Sequence, residues 1–134
     1  MPHFAKVVQV VWALPYTALG LIVGGIGLCT GGKCQVRRGV IEFHGGAVRC
    51  LLAHGPKGPW ALAITFGHTI LGQTAAALDL CRDHEHVHVR QYARWGLVFG
   101  PAYLLCSLGL WLRGRDAYRE NPFERQAFDE TGPL

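Results

Sequence analysis

Apolar residues run almost without a break from Val7 to Thr30, and none of the residues in that run is charged. As one helix the run reaches about 36 Å, more than the roughly 30 Å of a bilayer's hydrocarbon core. Gln9, Pro15 and Thr17 dilute it without charging it. The run is too long for the apolar region of a cleaved leader, and no A-x-A site follows it. Leu28 directly before Cys29 also spoils a lipoprotein cleavage site. The pattern predicts a retained N-terminal transmembrane helix, with residues 1–32 as a membrane anchor.

Shorter β-type runs come next. Val40 to Phe43, then His44-Gly45-Gly46, then Ala47 to Leu52 read as a hairpin turned by the glycine pair. Gly55-Pro56-Lys57-Gly58-Pro59 reads as a loop. Trp60 to Phe66 is rich in strand formers, His68 to Leu71 continues it after Gly67, and Gly72 ends it. These runs predict a small antiparallel sheet of about three or four strands.

The period then changes. Thr74 is placed to cap a helix that runs to about Trp95 and stops at Gly96. Leu78, Cys81, His84, Glu85, His88, Gln91, Tyr92 and Trp95 share one face of it; Arg82, Asp83, His86, Arg90 and Arg94 lie opposite. Leu97 to Leu112 is a second apolar stretch, but as a helix it reaches only about 24 Å, short for a span. Asn121-Pro122 opens a last helix with Pro in its first turn, and residues 131–134 read as a frayed tail. The fold class is α+β: an N-terminal transmembrane helix, then one domain over residues 33–130. That domain holds the sheet, the His helix, an apolar non-spanning helix and a C-terminal helix bearing Glu124.

Composition fits a membrane setting. Half of the 134 residues are apolar and 16% are charged, against about 25% charged in average domains. The net charge is +4, and the basic residues form no continuous run. A nucleic-acid partner is therefore not expected, and an anionic lipid bilayer is. Lys6 precedes the first apolar run, while Lys33, Arg37 and Arg38 come after it. That bias predicts a cell membrane with the rest of the chain on its cytoplasmic face. The five cysteines, Cys29, Cys34, Cys50, Cys81 and Cys106, contain no C-x-x-C pair. They read as reduced thiols, with Cys81 and Cys106 buried. A Cys29–Cys34 bridge stays open should that loop face an oxidising compartment.

The chemistry concentrates in His84-Glu85-His86-Val87-His88, an H-E-x-x-H segment. His84 and His88 are one turn apart, so both imidazoles leave the same helix face at a spacing that suits two corners of a tetrahedral zinc site. Glu85 beside them is the general base that takes a proton from the attacking water. His86 points elsewhere and is not a ligand of the same metal. A third ligand has to come from Glu120, Glu124, Asp129 or Glu130. Glu124 is chosen because its helix can dock on the His helix, whereas Glu120 reads as a surface or capping acid. His68 and Tyr118 are candidates to stabilise an oxyanion.

This segment resembles the gluzincins, the HExxH zinc metallopeptidases whose third ligand is a Glu on a later helix. In membrane-bound and small soluble members that Glu opens an E-x-x-A-[D/N] pattern. Glu124-Arg125-Gln126-Ala127-Phe128 matches it at Glu and Ala and departs at Phe128, with Asp129 one position late. The strings from His84 to Gly96 and from Tyr118 to Glu124 are also similar to a group of small bacterial membrane proteins. The likeness covers residues 60 to 129. It implies a minimal gluzincin core of sheet, His helix and Glu helix, with zinc on His84, His88 and Glu124. It also implies hydrolysis of a peptide or protein that pairs with a strand between Trp60 and Leu71.

The membrane setting imposes a geometric condition. If Leu97 to Leu112 crossed the bilayer once, Glu124 would end on the far side from His84, and such a site could not close. Two rival readings remain open: a non-catalytic zinc-binding or metal-responsive membrane protein, and a small membrane protein whose histidines are incidental.

Overall fold

Pro15 breaks the first apolar run. Its ring has no N–H to donate and crowds the carbonyl one turn back. In the computed structural model the run forms two helices, α1 (Pro2–Trp12) and α2 (Leu14–Cys29), bent by 61° at Ala13. The structure describes residues 2–54 and 61–132, with side chains from Phe4 onward. The expected Gly55 to Pro59 loop, Trp60 and the last two residues of the tail lie outside the described residues. The single straight span is thus corrected to a bent pair, in which α2 has 16 residues. At about 24 Å, α2 alone is shorter than a bilayer core.

Nor is α2 detached from the rest of the chain. Thr17, Gly20, Gly24 and Gly27 form its buried stripe. A methyl group on Gly20 would land on the Thr69 hydroxyl, and one on Gly24 on the Phe43 ring. Small residues on this stripe let the helix backbone lie directly on a sheet.

That sheet has four strands, β1 (Lys33–Arg37), β2 (Val40–His44), β3 (Ala63–Phe66) and β4 (Thr69–Gly72), in the order β1-β2-β4-β3. The β1–β2 hairpin turns through Arg38 and Gly39, both at positive φ (+53° and +77°), as a type I′ turn requires. β3 and β4 form a second hairpin around Gly67-His68. Between the hairpins β2 and β4 run parallel, Ile41 opposite Thr69 and His44 opposite Gly72. The sheet is therefore mixed, not antiparallel as expected.

A parallel pair needs a crossover, and this explains a second correction. The expected strand Ala47 to Leu52 is a helix, α3 (Gly46–Ala53). Gly45 and Gly46 do adopt positive φ, but they turn the chain against the end of α2. There Thr30 Oγ1 accepts the Ala47 N–H at 2.8 Å, at the start of α3. Val48 and Leu52, one helical turn apart, then point into the core.

The core has two sides. Phe43, Val48, Leu52 and Leu71 pack under α2 and α3. Val40, Ile70, Leu78 and Val89 pack under α4 (Ala75–Trp95) on the other sheet face. Thr74 caps α4 by accepting the Ala77 N–H, and Gly96 ends it, as the sequence predicts. A buried ion pair fixes α4 on the sheet: Arg82 makes two 2.9 Å bonds to the fully buried carboxylate of Glu42.

A single turn of 3-10 helix leads from α4 into α5 (Phe99–Leu112), and α6 (Pro122–Thr131) packs on α4. The link from α5 to α6 folds back along α5. Ser107 donates to the Ala117 carbonyl at 2.8 Å, and Asn121 donates to Ser107 and to the Tyr103 carbonyl. A link that carries Arg113, Arg115, Asp116, Arg119 and Glu120 thus returns beside the apolar helix to the side from which it left.

The outward faces of these helices are apolar. Ile22 on α2 is 62% exposed, and Leu104, Leu105, Trp111 and Leu112 on α5 are 67–70% exposed. By length and composition, the continuous helical stretch Ala75–Leu112 qualifies as a membrane span, and α1 with α2 qualifies as a bent one. All five cysteines are free thiols; Cys81 is buried, Cys106 is half-buried and the other three are exposed.

Candidate metal centre

The α4–α6 contact brings three expected ligands to one point. His84 Nε2 lies 2.9 Å from Glu124 Oε2. His88 Nε2 lies 3.2 Å from the same oxygen and 3.1 Å from Oε1. All three side chains are buried. Donors at about 2.0–2.1 Å from a tetrahedral zinc ion lie roughly 3.3 Å apart. The observed spacings fall just below that edge length, and they are also the lengths of charge-assisted hydrogen bonds.

His88 shows which nitrogen faces inward. The Gln91 amide nitrogen donates to the Phe123 carbonyl and to Gln126 Oε1, both at 2.9 Å. That leaves Gln91 Oε1 as acceptor for His88 Nδ1 at 2.8 Å, so Nδ1 carries the proton. The Nε2 position opposite Glu124 then holds either a second proton or a shared cation, because a bare lone pair facing a carboxylate is repulsive. A hydrogen bond of this kind, made by the outer ring nitrogen, orients a metal-binding imidazole.

The electrostatics agree with a cationic requirement. Burial alone would lower the His88 pKa, but the hydrogen bond to Glu124 and the charges of Glu85 and Glu124 outweigh it and lift it to about 9. Burial would raise Glu124, yet the bonds to His84 and His88 hold it at about 2. The paired form of the site is carboxylate with bound positive charge.

Glu85 plays a different part. One ligand atom each from His84, Glu85 and His88 lies within 4.8 Å of the others, but the Glu85 carboxyl is held elsewhere. Its Oε2 accepts the Thr65 hydroxyl at 2.7 Å, from β3. Burial pushes its pKa up, against the pull of His88 and Thr65. A carboxyl raised in this way, close to the ligands but tied to the strand, suits proton transfer better than metal binding.

Glu124 is positioned by Tyr103, which sequence reasoning misses, and by the cap of its own helix, Asn121. Tyr103, inside the apolar α5, donates to Glu124 Oε1 at 3.0 Å. Asn121 caps α6 through the Phe123 N–H and ties its start to α5. Phe128, where the resembling pattern carries an acid or amide, packs its ring 4.7 Å from that of His84. His84 Nδ1 correspondingly has no hydrogen-bond partner among the described residues. Glu120 pairs with Arg115 and accepts the Asp116 N–H within the α5–α6 link, and caps no helix.

A cleft of about 710 Å³ opens over Glu85, His88 and Glu124. Its walls are apolar, with Tyr16, Phe99, Tyr103 and Leu104 on one side and β3 on the other. β3 is an edge strand, and among the described residues no other strand pairs with its outer side. Tyr118 lines this cleft. His68 does not: it sits at the β3–β4 turn and lines a separate cleft with Lys6, Arg38 and His86. The expected oxyanion role for His68 at the His84–His88 site is therefore dropped.

No protein-family model, curated protein or solved structure matches the chain.

Proposed function

We propose that this chain is a membrane-associated zinc metallopeptidase of gluzincin type, with zinc on His84, His88 and Glu124 and with Glu85 as general base. The observation that carries the reading is the convergence of two imidazole Nε2 atoms on one buried carboxylate at 2.9–3.2 Å. Zinc at that point supplies a Lewis acid that makes water nucleophilic near neutral pH. The rest is done by this chain's own groups. His84, His88 and Glu124 are the ligands, and Gln91 and Tyr103 orient two of them. The Glu85 carboxyl takes the proton of the attacking water and returns it to the leaving amine. Its Thr65 bond holds it at the floor of the cleft. An extended peptide adds to the free edge of β3 and crosses that floor. Tyr118, on the cleft wall, is the remaining candidate for oxyanion stabilisation.

The membrane part of the proposal rests on the outward apolar faces of α1, α2 and α5. α5 lies along lipid without carrying the chain across, because its charged return link comes back beside it. The basic residues around α2 favour the cytoplasmic face of a bacterial inner membrane.

The test is peptide hydrolysis by purified protein with and without a chelator, set beside Glu85→Gln. The proposal expects metal-dependent cleavage that Glu85→Gln abolishes while zinc content is unchanged. Full activity in Glu85→Gln would refute the role of Glu85. Stoichiometric zinc with no cleavage of any peptide in a broad library would favour a non-catalytic zinc protein.

A further inference from the structure

The second cleft, about 430 Å³, lies between α1, the β1–β2 turn and the outer side of α4. Its charged lining residues are Lys6, Arg38 and Arg90, joined by two histidines, His68 and His86. Each histidine is half-buried and has one buried ring nitrogen, Nδ1 of His68 and Nε2 of His86, with no hydrogen-bond partner among the described residues. A buried polar atom without a partner is costly unless something satisfies it. Here the two histidines that carry such atoms line one cavity with three cationic side chains.

Two of those three cations have acid partners on the rim. Asp83 pairs with Arg38 at 2.8 Å and Glu130 with Arg90 at 3.0 Å. Both pairs are on the exposed rim, where such contacts contribute little and exchange readily. Lys6 makes no ion pair among the described residues. The other polar lining group, the Gln9 amide, adds donors of its own. The floor is Val40 and Val89, both buried. Phe4, Val7, Val8 and Val11 on α1 are exposed apolar residues close in sequence to the lining residues Lys6, Gln9 and Val10.

We propose that this cleft binds a phosphate group, carried by an anionic phospholipid headgroup or arriving as free phosphate. A phosphate offers several acceptor oxygens, which Lys6 and the two unpartnered imidazole nitrogens lack among the described residues, and its charge can share Arg38 and Arg90 with their rim acids. Held as a lipid headgroup, it would leave its acyl chains against the apolar face of α1 and fix the orientation of the molecule at the bilayer surface.

The experiment uses the full chain in detergent micelles. Short-chain phosphatidylglycerol, short-chain phosphatidylcholine and inorganic phosphate are titrated separately, with binding followed through the histidine ring resonances. The Lys6→Gln/His68→Asn double variant and a control, Arg113→Gln, are titrated in the same way. The proposal expects the His68 and His86 signals to move with phosphatidylglycerol and not with phosphatidylcholine. It expects binding at least tenfold weaker in the double variant and unchanged in the control. If inorganic phosphate alone moves the same signals, the source is free phosphate; if it neither binds nor competes, the source is lipid. Should the double variant fail to fold, Lys6→Gln alone is expected to weaken binding several-fold. Equal response to both lipids, equal binding by the variants, or no response to any of the three probes overturns the proposal.

Discussion

At the residue scale the proposed site depends on side chains that touch its proposed ligands. Gln91 fixes His88 through Nδ1, and Tyr103 fixes Glu124 through Oε1. Removing the hydrogen-bond partner of a metal ligand typically lowers metal affinity about 10–100-fold. Gln91→Leu keeps side-chain bulk but removes the acceptor. It is expected to weaken zinc binding within that range, read by competition against a chromophoric chelator. Tyr103→Phe removes one hydrogen bond to an ionised acceptor, and its loss should fall at the low end of the same range. If either variant binds zinc as tightly as the parent, the orienting role assigned to that residue is wrong.

His84, Glu85 and His88 are legible in the sequence because helical spacing is a local property. Glu124 is legible from its place on a later helix. Tyr103 is not, because a tyrosine within an apolar run carries no signal until α5 is folded against α6. Thr65 is hidden in the same way: only the packing of β3 beside α4 brings its hydroxyl to Glu85.

At the scale of elements, α4 is the platform, and the Glu42–Arg82 pair seats it. Glu42 is fully buried and makes a further 2.8 Å bond with Gln35. Breaking a buried pair by removing one partner leaves an uncompensated charge and costs about 3–5 kcal/mol. Glu42→Ala should therefore lower unfolding stability by roughly that amount, measured by denaturant titration in detergent. A well-packed apolar replacement of both partners should recover much of it. α2 is seated by close approach instead. Gly24→Leu would drive a side chain into the Phe43 ring, and overpacking of this kind costs about 1–3 kcal/mol. A neutral result would mean that α2 does not rest on the sheet.

The helices α4 and α6 are readable because their caps, Thr74 and Asn121, are local signals. α3 is not, since Val48 and Leu52 in a short apolar run satisfy a strand period and a helix period equally. The parallel β2–β4 pairing is a property of the crossover and leaves no mark in either strand.

For the whole molecule, the same site predicts opposite pH responses with and without metal. Without metal, His88 has a folded pKa raised from 6.5 to about 9. Its contribution to stability is complete below about 6.5 and is lost as pH rises through about 9, an effect on the order of 3 kcal/mol. Glu124 has a folded pKa lowered from 4.5 to about 2. Its contribution is present above about 4.5 and is lost as pH falls through about 2. Zinc requires deprotonated imidazoles, so zinc-loaded protein should instead gain stability as pH rises from 6 to about 8. Thermal melts across that interval, with and without zinc, check the sign; parallel curves would show that metal and proton do not compete for His88.

The apolar helices frame the site at this scale. The return of the chain beside α5 brings Glu124 back to His84 and His88 on α4. The apolar helices are visible in the sequence as apolar runs, but the bend at Pro15 is not, because a proline near the start of a helix is also compatible with a straight one.

Zinc content measured on the purified protein tests the central claim most directly, with Glu124→Ala and His84→Ala measured beside it. The account predicts one zinc per chain in the parent and loss of that zinc in both variants, with the fold retained by circular dichroism. A parent that holds no stoichiometric zinc, or variants that hold as much as the parent, would contradict it.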